Sequence, residues 1–185
     1  MGSALSTGMT TFAQRLFGTL TLDASIAEDI ESDRESARQA LAVILVVACA
    51  GGIAANGLAA ITLPVFFAGA TAAIGGWLVW VLAITVIGTV AVPEPQTHSS
   101  VPELFRTLGF AAAPGVFVAF AAMREVAPFV LTLVAAWMVA AAVMAIRQAL
   151  DYRSTGRAIV VCVLAWLLTF GTLAAALNMR LVSVS

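Results

Sequence analysis

A run of 55 consecutive residues, 39–93, contains no charged side chain. As one helix rising about 1.5 Å per residue, this run would be roughly 80 Å long, whereas the hydrocarbon core of a bilayer is about 30 Å thick. The run therefore predicts at least two membrane crossings with a turn between them. Asn56-Gly57 and Pro64 are residues typical of such a turn.

The composition and the remaining apolar runs extend this prediction to the whole chain. Hydrophobic residues make up 62% and charged residues 10% of the sequence, whereas about a quarter of the residues in a soluble domain are charged. We predict an all-α polytopic membrane protein, a five-helix transmembrane bundle preceded by N-terminal amphipathic or cytosolic helices. The five predicted spans are residues 40–59, 65–92, 107–123, 126–146 and 158–178.

The third span is the shortest of the five, with only 17 residues between Arg106 and Arg124, and carries Pro114 in its middle. Proline at that position breaks or kinks a helix, so the segment either crosses or re-enters the membrane. Arginine placement favours a crossing, with the N-terminus cytoplasmic and the C-terminus outside. Seven arginines then lie inside and two, Arg124 and Arg180, lie outside, in agreement with the positive-inside rule.

Three segments follow from these boundaries: a cytosolic or interfacial segment (1–38), the membrane domain (39–179) and a short tail (180–185). Within the first segment, apolar residues from Phe12 to Leu20 have helical spacing around Arg15 and predict a short interfacial helix. Asp23 or Ser25 could cap a second helix that is acidic in its early turns. This segment is either a docking surface or a solvated helix at the membrane surface.

The distribution of reactive side chains argues against catalysis. No Asp, Glu, His, Lys or Arg lies inside a predicted span away from its ends, and the single histidine, His98, lies in a polar loop. Cys49 and Cys162 lie in apolar runs without metal-ligand spacing. We therefore predict no catalytic residue, no cofactor and no metal site. The net charge of −1 argues against nucleic acid as a partner.

Two sets of residues are candidates for contacts. Small and aromatic residues within the spans predict close helix packing, within the chain or between copies, or a groove for a lipid or a partner: Gly51, Gly52, Gly69, Gly76, Trp77, Trp80 and Pro114. Charged residues at the cytoplasmic ends form a possible interaction surface, for a protein or for anionic lipid headgroups: Glu28, Asp29, Glu31, Asp33, Glu103, Arg106, Arg147, Asp151, Arg153 and Arg157. Within this surface, spacing favours the ion pairs Glu103–Arg106 and Arg147–Asp151.

Three stretches together resemble the Yip family of five-span membrane proteins, specifically its prokaryotic members. They are the acidic segment 28–34 with Gln39-Ala40, the segment 76–80 joined to 103–115, and Trp137 followed by 146–152 and 154–158. The resemblance implies a five-span protein of the bacterial cytoplasmic membrane. Eukaryotic members of this family bind prenylated Rab-type GTPases and vesicle coat factors, but a prokaryotic relative has no Rab system to serve.

The function predicted from the sequence is therefore a non-enzymatic integral membrane scaffold or accessory subunit. Its expected partners are membrane lipids and either other membrane protein subunits or a second copy of itself. The alternative is a small transporter or channel that uses the break at Pro114 in the third span.

Overall fold

The prediction of an all-α fold is confirmed. The computed structural model describes residues 2–57, 62–95, 97 and 100–182, with side chains described for 11–57, 62–95, 97, 100–169, 171 and 172. All regular structure in these ranges is helical. The α-helices are α1 (Gly2–Leu20), α2 (Ala24–Ser32), α3 (Ser36–Asn56), α4 (Leu63–Val86), α5 (Val101–Ala111), α6 (Ala127–Ala149) and α7 (Thr155–Val182).

Three helices are long and apolar enough to cross a membrane: α3, α6, and α4 together with the π-helical turn Ile87–Ala91 that continues it. A fourth span results if α5 and the 3-10 helix Ala113–Ala122, which meet at a bend of 44°, are taken as one broken helix. In α7, the apolar part that could be searched, Thr155–Thr169, is shorter than a span. The described residues therefore give three or four spans, and the fifth crossing stays a prediction.

The broken helix runs along α3 from one end to the other. A Cβ atom on Gly109 would lie 2.8 Å from the Cβ of Ala40, near the start of α3, and a Cβ on Gly57, just after α3, would lie 3.3 Å from Nε of Arg124. Pro114 causes the break, because it has no amide hydrogen to donate and the chain continues in tighter 3-10 turns. The broken helix thus follows α3 from one end to the other, as a bent crossing does, whereas a re-entrant loop returns to its starting end.

Helices α3 and α4 approach each other backbone to backbone. A Cβ atom on Gly52 would lie 2.7 Å from the carbonyl oxygen of Phe66, and one on Gly69 would lie 3.1 Å from Cα of Gly52. Contacts this close require glycine on both helices, as small residues allow in membrane proteins. The two candidate glycines Gly52 and Gly69 therefore lie at a contact within the chain.

The N-terminal helices pack on the bundle. As the sequence favours, the Asp23 carboxylate caps α2, accepting a hydrogen bond of 3.0 Å from the Ser25 amide. Ile30 of α2 is fully buried with Phe110 of α5, and Phe12 of α1 packs against the same cluster. Since both helices contribute to this core, they are part of the folded body of the protein.

The α3–α4 crossing generates the first testable prediction. Replacing Gly52 with Ala forces the backbone of α4 to move and should lower the stability of the protein by about 1–3 kcal/mol. The matched control is Gly75→Ala, because a Cβ atom there meets nothing within 4 Å and alanine is the better helix former by ~1 kcal/mol. Thermal unfolding in detergent should show a lower Tm for Gly52→Ala only. Equal Tm values for the two variants would contradict the close crossing.

Candidate functional site

Helices α3, α5 and α7 begin, and α4 and α6 end, at the same end of the bundle, which we call the cap end. The hydroxyl of Tyr152, which follows α6, lies 2.8 Å from each of the carbonyl oxygens of Gly88 and Val92, just after α4, and shares its single hydrogen between them. Arg157 of α7 forms an ion pair of 3.4 Å with Glu94. The π-helical turn explains the first contact, since its wider winding leaves the Gly88 carbonyl available to a side chain.

A buried arginine holds the two N-terminal helices on the cap end. The side chain of Arg15 in α1 donates hydrogen bonds to Asp29 (2.7 Å), Asp33 (2.8 Å) and Gln39 (3.0 Å), and the residue is only 3% exposed. Burial acts to lower the pKa of Arg15, but the hydrogen bonds and charges of the two aspartates outweigh it and raise that pKa. The hydrogen bond from Arg15, aided by the Glu35 amide, lowers the pKa of Asp33.

Two candidate surface residues take part in this arrangement. The Asp29 and Asp33 carboxylates pair with the same guanidinium within the chain, and their side chains remain 52% and 36% exposed. Glu28, on the same helix, is exposed as well. The acidic segment therefore binds α1 and also faces outward, and its role as an interaction surface stays a prediction.

The Glu103–Arg106 ion pair expected from spacing is not the arrangement found. The Glu103 carboxylate accepts a hydrogen bond of 2.8 Å from the Ser100 amide in a capping box at the start of α5. Arg106 is buried and donates a hydrogen bond of 2.6 Å to the backbone carbonyl of Glu31 in α2. Because α2 covers the start of α5, Arg106 has a nearer acceptor than Glu103, and it joins the two helices.

Burial raises the pKa of Glu31 to about 6, with a contribution in the same direction from the charges of Asp151 and Glu103 and an opposing one from Arg106. Glu31 thus stands among carboxylates from α5 and from the α6–α7 connection. It is the candidate surface residue that titrates closest to neutral pH among those with a resolved shift.

The remaining candidate surface residues lie at the α6–α7 connection. Arg147 directs Nε to the carbonyl oxygen of Tyr152 (3.4 Å), and the Arg153 amide donates to the Glu94 carboxylate (3.2 Å). Asp151 adopts a left-handed conformation with φ of 52°. A cavity of about 340 Å³ separates this connection from α2, and we call it the cap cavity. It is lined by Ala24, Ala27, Met144, Arg147, Gln148, Asp151 and Tyr152.

A second cavity, of about 330 Å³, lies between the spans and is called the apolar cavity below. The candidate residues Gly51, Gly76, Trp77 and Trp80 line it, together with Gly115 next to the buried Pro114. Sequence reasoning missed the rest of the wall, chiefly Ala48, Met138 and Trp166. The ring of Trp80 meets that of Trp166 edge to face, with centroids 6.2 Å apart.

Two indole nitrogens of the cavity wall are buried polar groups. Nε1 of Trp77 and of Trp80 is buried, and neither has a hydrogen-bond partner among the described residues. A buried donor without an acceptor costs free energy, so these rings are held in place by packing. Trp77 contacts Phe105 edge to face at 5.3 Å.

Two further contacts of the cap end were not found from the sequence. Trp137 of α6 donates from Nε1 to the carbonyl oxygen of Leu20 at 3.0 Å, which ties the end of α1 to the bundle. Gln39 accepts from Arg15. The one signal for these contacts in the sequence was Arg15, a charged residue within the apolar face of a helix. An acidic segment follows that helix.

Within the described part of the chain, no group of three or more His, Cys, Asp or Glu residues could hold a metal ion. His98 lies outside the described residues. Arg147 is exposed beside the cap cavity, so the cap end can bind a polar group. The apolar cavity is instead suited to hydrocarbon.

In comparison with protein families, the model described as the Yip1 domain matches residues 17–176. The match includes only the last turn of α1, all of α2 and the whole bundle up to the last turns of α7. No curated protein matches the chain. No solved structure matches it either.

The raised pKa of Glu31 generates a prediction about pH. A carboxyl group whose pKa is higher in the folded protein than its ordinary value of 4.5 favours folding at low pH, and this contribution is lost as the pH rises from about 4.5 through about 6. Replacing Glu31 with Gln removes this pH-dependent contribution to stability, because a glutamine side chain does not titrate. The Tm of Glu31→Gln minus that of the wild type should therefore increase between pH 4.5 and pH 6.5.

The matched control is Glu35→Gln, since the Glu35 side chain is exposed and forms only a long pair of 3.9 Å with Arg38. We expect its Tm difference to change by less than half as much over the same pH range. A Glu31→Gln difference that is flat with pH would show that Glu31 does not titrate in this range.

Proposed function

Because the chain belongs to the Yip1 domain family of membrane proteins, we propose that it is a non-enzymatic integral membrane scaffold or accessory subunit. It binds a larger membrane complex, a second copy of itself, or lipids. The observation that carries this proposal is the division of the molecule. At the cap end, ion pairs and hydrogen bonds join the charged residues into a folded polar surface. The faces of the spans that are turned away from the core are apolar and exposed.

In this proposal the protein lies in the bacterial cytoplasmic membrane with five spans, the N-terminus and cap end in the cytoplasm and the C-terminus outside. The direction of the helices supports it, since α7 begins at the cap end and continues as a helix for 28 residues. At 1.5 Å per residue such a helix is about 40 Å long, enough for a crossing. The arginines support it as well, because Arg15, Arg106, Arg147 and Arg157 all lie at the cap end.

The cap cavity is the proposed interaction site. It combines an exposed cation, Arg147, and an exposed carboxylate, Asp151, with the apolar wall formed by Ala24, Ala27 and Met144. A partly apolar segment of a membrane protein partner that carries an acidic group for Arg147 fits that chemistry. Arg106 of α5 holds α2 through the Glu31 carbonyl, and Arg147 joins the end of α6 to the connection that follows it, so both walls of the site are formed before binding.

The runner-up function, a transporter or channel at the break in the third span, gains no support from the geometry. Pro114 is buried, and a Cβ atom on the adjacent Gly115 would lie 2.7 Å from Val47 and 3.4 Å from Met138. The break is thus packed between apolar side chains of α3 and α6. Such packing is the ordinary accommodation of a kink.

The proposal is tested by purification from native membranes in mild detergent, with mass spectrometry of the captured proteins and native mass measurement. We expect a stoichiometric membrane protein partner, or a defined oligomer of the chain itself, with the wild type. Arg147→Glu should lose that partner, because it replaces the cation of the cap cavity with a second carboxylate beside Asp151. Arg38→Glu is the matched control, since its side chain is 86% exposed and lies outside the cavity lining.

A monomer without partners would contradict the accessory role. Equal capture by Arg147→Glu and Arg38→Glu would move the interaction site away from the cap cavity. Both variants are compared with the wild type by thermal unfolding, so that loss of binding is separated from loss of folding.

A further inference from the structure

The apolar cavity lies at the depth of the membrane's hydrocarbon. Its wall on α3 extends from Ile44 to Gly51, about 12 to 23 Å along a helix that begins at Ser36 at the cap end. The facing wall is formed by the middle of α4, around Gly76 and Trp80. Both helices are long and apolar enough to be spans, so the surroundings of the cavity are lipid tails.

The chemistry of the wall favours an apolar ligand. The wall consists almost entirely of apolar side chains, and its one hydroxyl group, that of Thr169, donates to the carbonyl oxygen of Ala165 at 2.8 Å. The buried indole N–H groups of Trp77 and Trp80 are the donors of this wall that have no partner among the described residues. Apolar cavities of this kind stay free of water and take up hydrocarbons. An empty cavity would leave its wall atoms without van der Waals partners.

The size of the cavity selects among apolar occupants. A helix of about 10 Å diameter needs roughly 120 Å³ per residue, so a cavity of about 330 Å³ would hold fewer than about three residues of a partner helix. A methylene group needs about as much volume as a water molecule, ~30 Å³. The cavity therefore has room for on the order of ten methylene groups, a large part of one acyl chain.

We propose that the apolar cavity binds one acyl chain of a membrane lipid, with the chain lying between α3 and α4 and against the rings of Trp80 and Trp166. The small residues Gly51 and Gly76 make the space, and the aromatic rings close it. This inference deepens the proposed accessory role by naming lipid as a ligand of the bundle, and it rests on that role for its biological meaning. The binding itself does not depend on the cap cavity or on a protein partner.

The test uses the tryptophans as reporters. The purified full chain is reconstituted in phosphatidylcholine vesicles, with and without phosphatidylcholine brominated at mid-chain, which quenches tryptophan fluorescence on contact. Three of the four tryptophans, Trp77, Trp80 and Trp166, line the cavity. We expect strong quenching of the wild type, and a roughly twofold smaller effect when Gly76→Leu fills the space from within.

Gly75→Leu is the matched control, because a Cβ atom there also meets nothing within 4 Å but the residue does not line the cavity. It should be quenched like the wild type. Equal quenching of all three proteins would overturn the proposal, since bromine would then reach the rings only from the surrounding lipid. Ala72→Leu, which lines the same cavity one turn earlier, replaces Gly76→Leu if thermal unfolding shows that the latter is not folded.

The assay contains no other protein, so its outcome is independent of the partner search. If Gly76→Leu and Gly75→Leu are quenched equally, the acyl-chain site is ruled out and the accessory role stands. If the native-membrane capture finds no partner and the quenching difference is present, the protein partner is ruled out and the lipid site stands.

Discussion

The cap end depends on one buried guanidinium. Removing a charge from water costs several kcal/mol unless it is paired and fully hydrogen-bonded, and Arg15 meets that condition only when α1, α2 and the start of α3 come together around it. Helix α2 has nine residues, too few to be stable in isolation. The charge network and the buried contact of Ile30 with Phe110 and its neighbours therefore form together or not at all. This arrangement places α2 where Arg106 of α5 binds its backbone and where α2 forms one wall of the cap cavity.

The bundle below the cap is held by different forces. Lipid tails are as apolar as leucine, so helices in a membrane associate by close packing and not by the hydrophobic effect. The crossing at Gly52 and Gly69 provides such packing. Where the larger rings of Trp77 and Trp80 face small residues, packing is incomplete and the apolar cavity remains. The same residue types thus produce both the contact and the space.

Much of the architecture was accessible from the sequence, because it follows from local signals. The uncharged run 39–93, the turn residues near Asn56 and the break at Pro114 predict spans and interruptions without any tertiary information. The contacts of the site were not accessible, because they join distant parts of the chain. Arg106 binds a carbonyl 75 residues away, and Trp137 binds one 117 residues away. Spacing along a helix suggested a local partner for Arg106, and a tertiary one replaced it. The path of the broken helix along α3 and the cavity wall at Trp166 likewise required the packed structure.

The most direct test of the account is hydrogen exchange of the α2 amides in the reconstituted protein, comparing Arg15→Met with Arg38→Met. Loss of hydrogen bonds to charged groups costs about 1.5–3 kcal/mol, so exchange in α2 should become roughly tenfold faster or more in Arg15→Met. Arg38→Met removes an arginine of the same chain segment whose side chain is 86% exposed, and it should leave α2 unchanged. Equal protection of α2 in the two variants would contradict the claim that Arg15 holds the cap together.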